Sequence, residues 1–210
     1  MADRAYLPAA GRDAFLPFYD PLTRLLGGQK ILRSLLDQAS LRPNHVVLDI
    51  GCGTGTLAVL VKQRHPTIEV TGIDPDPKAL ARAAAKAAKG RVAVRFDLGF
   101  ADAMPYGDAA FDRVFSSMMF HHIPRDDRVK VLGEVRRVLK PGGSLEFLDI
   151  DFTGTGQRSF LARLLHGPAP PPGEDRLLRR MHEAGLTDAR RVRDQKTIIG
   201  GLAFYQARRT

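Results

Sequence analysis

The feature that most constrains this sequence is a glycine-rich stretch that directly follows a short apolar run. The run His45–Ile50 predicts a buried strand, and Thr56–His65 predicts the helix that comes after the stretch. Between them, Gly51, Gly53 and Gly55 occupy every second position. Glycines at such a junction let the backbone approach a ligand closely, and the N-terminus of the following helix supplies N–H groups for it. The sequence therefore predicts a ligand-binding loop at the carboxyl end of a strand.

An acidic residue directly before this loop restricts the kind of ligand. Asp49 lies near the end of the predicted strand, where its carboxylate would repel a pyrophosphate and attract a cation. The glycine spacing is G-x-G-x-G, which differs from the G-x-G-x-x-G of dinucleotide-binding loops. The pattern therefore disfavours NAD and FAD and favours a cofactor that carries an ammonium and a sulfonium group.

A second acidic residue ends the next predicted strand, Ile68–Asp74. Asp74 lies 19 residues beyond Gly55, a separation at which an acid typically accepts hydrogen bonds from ribose hydroxyls. The alternative interpretation is that Asp74 caps the helix that begins beyond Pro75. The strand position and the spacing together favour the ribose interpretation.

Strands and helices alternate along most of the chain. Elements of this length in this order are typical of a right-handed, mostly parallel sheet with helices on both faces, and such sheets bind ligands at the carboxyl ends of their strands. Further strands are predicted at Val92–Phe96, Phe111–Ser117 and Ser144–Asp151, and further helices at Lys78–Lys89 and Arg125–Leu139.

The C-terminal part of the chain predicts a different kind of strand pairing. Glu174–Ala184 predicts a helix, and Ala189–Val192 and Thr197–Ala207 predict two strands. The connection between these strands, Arg193–Lys196, is too short for a parallel crossover, which needs about a dozen residues or more. The two strands are therefore predicted to form an antiparallel hairpin that completes a seven-stranded α/β sheet.

Five ordered segments of the sequence resemble the motifs of class I S-adenosylmethionine-dependent methyltransferases. The sequence is most similar to the type-11 small-molecule branch, which includes the ubiquinone and menaquinone C-methyltransferases. The resemblance covers residues 45–151, and it implies a Rossmann-like fold with S-adenosyl-L-methionine as cofactor and S-adenosyl-L-homocysteine as product. The five segments are Asp49–Thr56, Gly72–Asp74 and residues 99–112, 116–123 and 139–143.

The resemblance also implies which residues contact the cofactor. It places the methionine part on the glycine loop, the ribose on Asp74, the adenine on the backbone of Ala101 and the sulfonium end beside Ser117. Cys52 belongs to the loop, and packing is favoured over nucleophilic chemistry because a small buried cysteine usually behaves as an apolar residue. The expected cofactor-contacting residues are Asp49, Gly51, Cys52, Gly53, Thr54, Asp74, Pro75, Phe100, Ala101 and Ser117.

One of these positions departs from the family pattern. Phe100 occupies the place where the family usually has Asp or Asn facing the adenine amino group. Two alternatives follow from this difference. Phe100 stacks on the adenine ring, or Asp102 provides the polar contact in its place.

Two histidines after the fourth predicted strand are the candidate catalytic residues. His121 and His122 lie where the methyl acceptor is expected, and histidine can take a proton from an acceptor that must lose one. The alternative is that one of them packs the loop while the other is solvated. The pair has no third ligand placed by the sequence, so no metal site is predicted. The Asn/Asp-Pro-Pro-Phe/Tyr sequence typical of base and amide N-methyltransferases is absent from this position, which favours a small organic acceptor.

The chain is predicted to form one domain, residues 1–210, with three parts. Residues 1–40 form a helical lid, residues 41–151 form the cofactor-binding core, and residues 152–210 supply the C-terminal helices and antiparallel strands. A lid excludes water and shapes an apolar pocket for the acceptor. The residues expected to bind the acceptor are Phe18, Tyr19, Met118, Met119 and Phe120.

Charge leaves two alternative functions open. The net charge of +9 is compatible with a nucleic-acid partner, so an RNA methyltransferase is a second hypothesis. Lys78, Arg82, Lys86 and Lys89 form a basic helical stripe, which a solvated helix face explains equally well. A protein that binds the cofactor without catalysing transfer is the third hypothesis, and the unusual Phe100 favours it.

The cellular setting follows from what the sequence lacks. Its single cysteine excludes an internal disulfide, and no stretch reaches the roughly 18 apolar residues that a membrane span needs. A cytoplasmic protein is therefore expected, and its oligomeric state is not determined by the sequence.

Overall fold

Alternating strands and helices build the protein. The computed structural model describes residues 28–150, 175–197 and 200–210, so residues 1–27 of the predicted lid, with Phe18 and Tyr19, lie outside the described residues. The helices within these ranges are α1 (Gly28–Gln38), α2 (Thr56–Arg64), α3 (Pro77–Lys89), α4 (Arg128–Val138) and α5 (Arg176–Glu183). The strands are β1 (Val46–Ile50), β2 (Glu69–Asp74), β3 (Arg95–Leu98), β4 (Phe111–Ser117), β5 (Leu139–Ile150), β6 (Thr187–Thr197) and β7 (Gly200–Arg208).

These strands form one seven-stranded sheet in the order β3-β2-β1-β4-β5-β7-β6. β1 pairs in parallel with β2 and β4, while β2 pairs in parallel with β3 and β4 with β5. β7 lies between β5 and β6 and runs antiparallel to both. The predicted fold class is confirmed, since the sheet is mostly parallel and ends in an antiparallel hairpin.

The hairpin differs from the prediction in where its strands end. β6 continues to Thr197, which pairs with Gly200 of β7. The predicted connection Arg193–Lys196 is therefore wrong, because these residues belong to the strand. Their charged side chains do not interrupt it, since β6 is an edge strand and the side chains of Arg193 and Lys196 remain exposed.

Two other boundaries are set by strand pairing rather than by the local sequence pattern. β3 begins at Arg95 instead of Val92, because Arg95 is the residue that lies opposite Thr71 of β2. β5 begins at Leu139 instead of Ser144, because Leu139 already pairs with β4. In both cases the neighbouring strand determines where the extended conformation starts.

Helices cover both faces of the sheet, and each face has its own hydrophobic core. Residues of α1 and α2 pack with Val47 and Phe115 on one face. Residues of α4 and α5 pack with Leu48 and Phe147 on the other face. Because neighbouring strand residues point to opposite faces, and both faces are covered, Val47 and Leu48 can be apolar together, which explains the apolar run Val46–Leu48 of β1. None of the helices in the described ranges is both long and apolar enough to cross a membrane.

The parallel strands bring their carboxyl ends to one edge of the sheet. Ile50, Asp74 and Ser117 end β1, β2 and β4, and Ile150 ends β5. Ligands of open α/β sheets bind beyond this edge, where neighbouring loops turn away from the strands. The residues singled out by the sequence therefore converge on the edge where a ligand is expected.

Candidate active site

The glycine loop folds as a tight link between β1 and α2. Gly51, Gly53 and Gly55 all have positive φ angles, of 62°, 52° and 72°. The loop is attached to the neighbouring strand, because the backbone N–H of Cys52 donates to the carbonyl of Ile73 at 3.1 Å. Only glycine adopts this left-handed conformation without strain, so the spacing of the three glycines is a requirement of the backbone path.

Asp74 holds the loop from the end of β2. One carboxylate oxygen accepts a hydrogen bond from the backbone N–H of Gly53 at 2.8 Å, and the other accepts from the N–H of Asp76 at 2.9 Å. Burial raises the pKa of Asp74, and these two hydrogen bonds oppose that shift. The helix cap is instead Asp76, which accepts from the N–H of Lys78 at 2.8 Å. Contact of Asp74 with a ribose stays a prediction, and half-buried Pro75 lies next to it.

Asp49 is the second buried carboxyl beside the loop. It is 3% exposed, and its Oδ2 atom is buried without a hydrogen-bond partner. Burial and, to a smaller extent, the charge of Asp74 raise the pKa of Asp49 to about 8, while a backbone hydrogen bond at Ala58 opposes the shift. A buried carboxyl with one unsatisfied oxygen is suited to receive a cationic group, whose charge would favour the ionised form.

Cys52 packs inside the loop. Its Sγ atom lies against Gly72 so closely that a Cβ atom on this glycine would be 2.8 Å away. Burial and the neighbouring carboxyls of Asp49 and Asp74 raise the pKa of the thiol well above its usual range. Because the thiolate is the nucleophilic form, this thiol is inert at neutral pH, and the geometry supports the packing role.

The segment after β3 is fixed by contacts with α4. The N–H of Met104 donates to Glu134 at 2.9 Å, and Arg137 donates to the carbonyl of Met104 at 3.1 Å. Asp102, one alternative for the adenine contact, is buried and accepts from Lys130 at 3.2 Å. The alternative residue, Phe100, and its neighbour Ala101 are both half-buried. Their contacts with adenine stay predictions.

The residues after β4 reach back to the glycine loop. The side chain of Met119 covers Gly51, where an added Cβ atom would lie 2.1 Å from Met119 Cγ. Met118 has a φ of 56°, which is a strained angle for a residue with a side chain. Ser117 is half-buried at the end of the strand. Strained backbone is typical of functional positions, and Met118 lies between the predicted cofactor site and the predicted acceptor site. The ligand contacts of Ser117, Met118 and Met119 stay predictions.

Phe120 differs in its surroundings from the other residues predicted to bind the acceptor. It is 1% exposed, and its ring packs edge-on against Phe147 with 5.2 Å between ring centroids. Arg128 lies over the same ring at 5.4 Å and donates to the carbonyl of Ile123 at 3.0 Å. The structure therefore gives Phe120 a packing role, in which it supports the turn that carries the two histidines.

His121 is held by a buried carboxylate on β5. Its Nδ1 atom lies 2.5 Å from Oδ1 of Asp149, and its backbone N–H donates to Oδ2 of the same residue at 3.1 Å. Asp149 is fully buried and also accepts from the N–H of Ile150 at 2.7 Å. The ring of His122 lies against the ring of His121, with centroids 3.9 Å apart. The structure therefore distinguishes His121, because both its imidazole and its backbone N–H contact the buried carboxylate.

Asp149 was not among the residues predicted to be functional. The available signal was an acidic residue within the apolar run of β5, close to the carboxyl end of the strand. A carboxylate buried at such a position without a partner would be energetically costly. A partner at the same edge of the sheet is therefore expected. His121 is that partner, 28 residues earlier in the chain.

The site combines a place for a cation with a place for proton transfer. Asp49 and Asp74 lie beside the glycine loop, and the His121–Asp149 pair lies at the neighbouring strand ends. Met119 bridges the two parts by its contact with Gly51. Within the described residues, no group of three or more His, Cys, Asp or Glu side chains could hold a metal ion.

Comparison with known proteins places the chain in a family. The profile of the methyltransferase domain family matches residues 47–143. The chain is 31% identical over 164 residues to the O-methyltransferase rstn1 of Aspergillus nomiae, which covers 75% of this chain and 71% of that protein. It is also 41% identical over 136 residues to the demethylmenaquinone methyltransferase of Thermus thermophilus, covering 63% of this chain and 61% of that protein. The chain therefore belongs to the methyltransferase family, and it spans less than two thirds of the Thermus relative.

Solved structures support the class of fold. The phosphoethanolamine N-methyltransferase 2 of Haemonchus contortus, in complex with S-adenosyl-L-methionine, superposes with a TM-score of 0.70 at 18% identity. The superposition covers 86% of this chain and 52% of that one. At this identity the likeness shows the shared fold, which is the Rossmann-like fold of class I methyltransferases.

Proposed function

We propose that this protein is an S-adenosyl-L-methionine-dependent methyltransferase whose acceptor is a small organic molecule that loses a proton during transfer. The observation that carries the proposal is the hydrogen bond between His121 and buried Asp149 at the same sheet edge as the glycine loop. The membership of the methyltransferase family supports the transfer itself. The paired histidine and carboxylate support an acceptor from which a base removes a proton.

The residues around the glycine loop fit a cofactor with a charged amino-acid end. The Oδ2 atom of Asp49 is a buried acceptor without a hydrogen-bond partner, which an ammonium group would satisfy. Asp74 lies at the next strand end, where it would accept from ribose hydroxyls. When bound, the cofactor supplies a methyl group on a sulfonium, which is already a good leaving group. The protein therefore has mainly to align the acceptor, and such alignment is worth about 7–11 kcal/mol of the barrier.

The His121–Asp149 pair supplies the proton acceptor. Asp149 accepts two backbone N–H groups in addition to its contact with the imidazole, so both of its oxygens are fixed at the turn that carries His121. The Nδ1 atom of His121 then carries the proton of the shared hydrogen bond, and the basic lone pair is on Nε2. Nε2 takes the acceptor's proton as the new bond to the methyl group forms, and the carboxylate stabilises the resulting imidazolium.

The proposed acceptor carries a hydroxyl group or an activated ring carbon. Methylation of either atom type releases one proton, which is what the pair is arranged to take. The Aspergillus relative is named as an O-methyltransferase and the Thermus relative as a demethylmenaquinone methyltransferase, and both names agree with such acceptors. Half-buried Met118 and Met119 offer apolar surface for the body of the molecule.

The proposal is tested by following binding and transfer in separate steps. Calorimetry with S-adenosyl-L-homocysteine tests the cofactor, and NAD serves as the negative control. Isotope-labelled S-adenosyl-L-methionine is then incubated with phenols and quinols and, in parallel, with RNA. Labelled phenols or quinols would support the proposal. Binding without transfer to any acceptor, or label in RNA alone, would contradict it.

Cofactor binding is expected to release protons. In the protein without a ligand, burial raises the pKa of Asp49 to about 8, so this carboxyl is mostly protonated at pH 7. A cationic group next to it favours the ionised form, and the proton must leave. Calorimetry at pH 7 in buffers of different ionisation enthalpy should therefore show a net release of up to about one proton. The release should decrease as the pH rises from 7 towards 8, because more of the carboxyl is then ionised before the cofactor binds. An identical enthalpy in all buffers at pH 7 would refute this account of Asp49.

A further inference from the structure

A lysine from a neighbouring helix reaches the glycine loop. Lys86 of α3 donates a hydrogen bond to the hydroxyl of Thr54 at 3.0 Å and to the hydroxyl of Thr56 at 2.6 Å. These two threonines flank Gly55, and their hydroxyl oxygens lie 3.5 Å apart. A single ammonium group therefore joins the last turn of the loop to the first residue of α2.

The packing of α3 against the loop explains how this contact arises. An added Cβ atom on Gly55 would lie 2.7 Å from the Cβ atom of Ala83, so the helix surface is directly against the loop. Lys86 is three residues further along α3, about one turn, and such residues lie on the same helix face. The Ala83 contact brings the backbones together, and the longer side chain of Lys86 reaches across the junction to the two threonines.

Lys86 lies in the last turn of α3, whose dipole favours a cation, and it also reaches the N-terminus of α2. The N-terminus of a helix is the positive end of its dipole, and a cation there is destabilising. The N-cap of α2 is Gly55, which has no side chain to cap the helix. The positive charge becomes favourable when an anionic group binds at the same helix end. A cofactor with an amino-acid end carries such a group, its carboxylate.

We propose that Lys86 is a positioning residue of the cofactor loop, which fixes Thr54 and Thr56 in the geometry that binds the cofactor. This inference rests on the proposed function, because it assumes that the loop binds S-adenosyl-L-methionine. It assigns a role in the cofactor site to a residue of α3, outside the glycine loop. Lys89 of the same helix is exposed and provides a matched comparison.

The test compares Lys86→Met with Lys89→Met. Both changes remove one positive charge from α3, but only the first removes the contacts with the threonines. We expect Lys86→Met to weaken the binding of S-adenosyl-L-homocysteine at least about tenfold, or about 1.4 kcal/mol, and Lys89→Met to leave it within about twofold. Calorimetry gives the dissociation constant, and thermal unfolding gives the stability of each variant.

A rescue experiment separates positioning from general stability. Lys86→Cys, alkylated with 2-bromoethylamine, restores an ammonium group at nearly the original reach, whereas alkylation with iodoacetamide does not. Cys52 is the one cysteine in the sequence, and the pKa of its thiol is strongly raised. Both reagents should therefore react with the introduced thiol at position 86 and not with Cys52. Recovery of affinity with the first reagent alone is expected.

The outcomes distinguish failure of the proposed function from failure of the inference about Lys86. If the wild-type protein does not bind S-adenosyl-L-homocysteine, the proposed function fails. If the wild type binds and Lys86→Met binds equally well, or lowers only the melting temperature, the inference about Lys86 fails alone. If Lys86→Met does not fold, Thr56→Val is measured in its place, and unchanged affinity in that variant would overturn the inference.

Discussion

Replacing His121 by glutamine is expected to lower kcat by about 10²–10⁴-fold, the usual contribution of a general base. Glutamine is similar in size and polar, but it cannot take the acceptor's proton. The dissociation constant for S-adenosyl-L-homocysteine should stay unchanged, because the imidazole contacts Asp149 and His122, which lie outside the glycine loop. Steady-state kinetics with the identified acceptor and calorimetry with the product measure the two quantities.

The neighbouring histidine provides the matched control for this prediction. His122→Gln changes the same residue type one position along, and the ring that it removes lies against that of His121. It should retain most of the activity. Asp149→Asn should lower kcat in the same direction as His121→Gln, because an amide can donate to Nδ1 and would favour the wrong tautomer of the imidazole. Full activity in His121→Gln together with a loss in His122→Gln would reverse the assignment.

Substitution of Gly55 by alanine is expected to have the second large effect, this time on stability and cofactor affinity together. The residue has a φ of 72°, which costs an L-amino acid about 1–2 kcal/mol. The added Cβ atom would lie 2.7 Å from Ala83 and 3.0 Å from Phe96, and overpacking of this kind costs about 1–3 kcal/mol. The free energy of unfolding should therefore fall by roughly 2–5 kcal/mol. Denaturant titration measures it.

Gly133→Ala is the control for the glycine substitution. Gly133 lies inside α4, and an added Cβ atom would meet nothing within 4 Å. Alanine is the better helix former by about 1 kcal/mol, so this change should raise the free energy of unfolding. Opposite signs for the two glycines would show that the loop conformation, and not glycine loss in general, is responsible. A Gly55→Ala variant as stable as the wild type would contradict the geometry of the loop.

Much of the fold was predictable because its signals are local. The run Val46–Ile50 is apolar apart from Asp49 and is followed by closely spaced glycines, which predicts a strand and a loop from neighbouring residues alone. The cap Asp76 and Pro77 at the first helical position mark the start of α3 in the same way. The cofactor side of the site was predictable for this reason, since Asp49, the loop and Asp74 all lie next to such signals.

The parts that could not be predicted depend on partners distant in sequence. The connection assigned to Arg193–Lys196 turned out to be strand, because the pairing of β6 with β7 outweighs the charged sequence of the edge strand. Phe120 was predicted to contact the acceptor from its position after β4, and that contact stays a prediction. Its packing against Phe147 of β5 could not be predicted, because the two residues are distant in sequence.

The α/β architecture, the glycine loop and the two carboxyls beside it could be predicted from the sequence, because each is encoded by neighbouring residues. His121 could be distinguished from His122 only once the fold was known, because its partner Asp149 is 28 residues further along the chain, on β5. The same holds for Lys86, whose role depends on how closely α3 packs against Gly55. Periodicity and spacing report which face a residue occupies, whereas the partner of a side chain is decided by how strands and helices pack together.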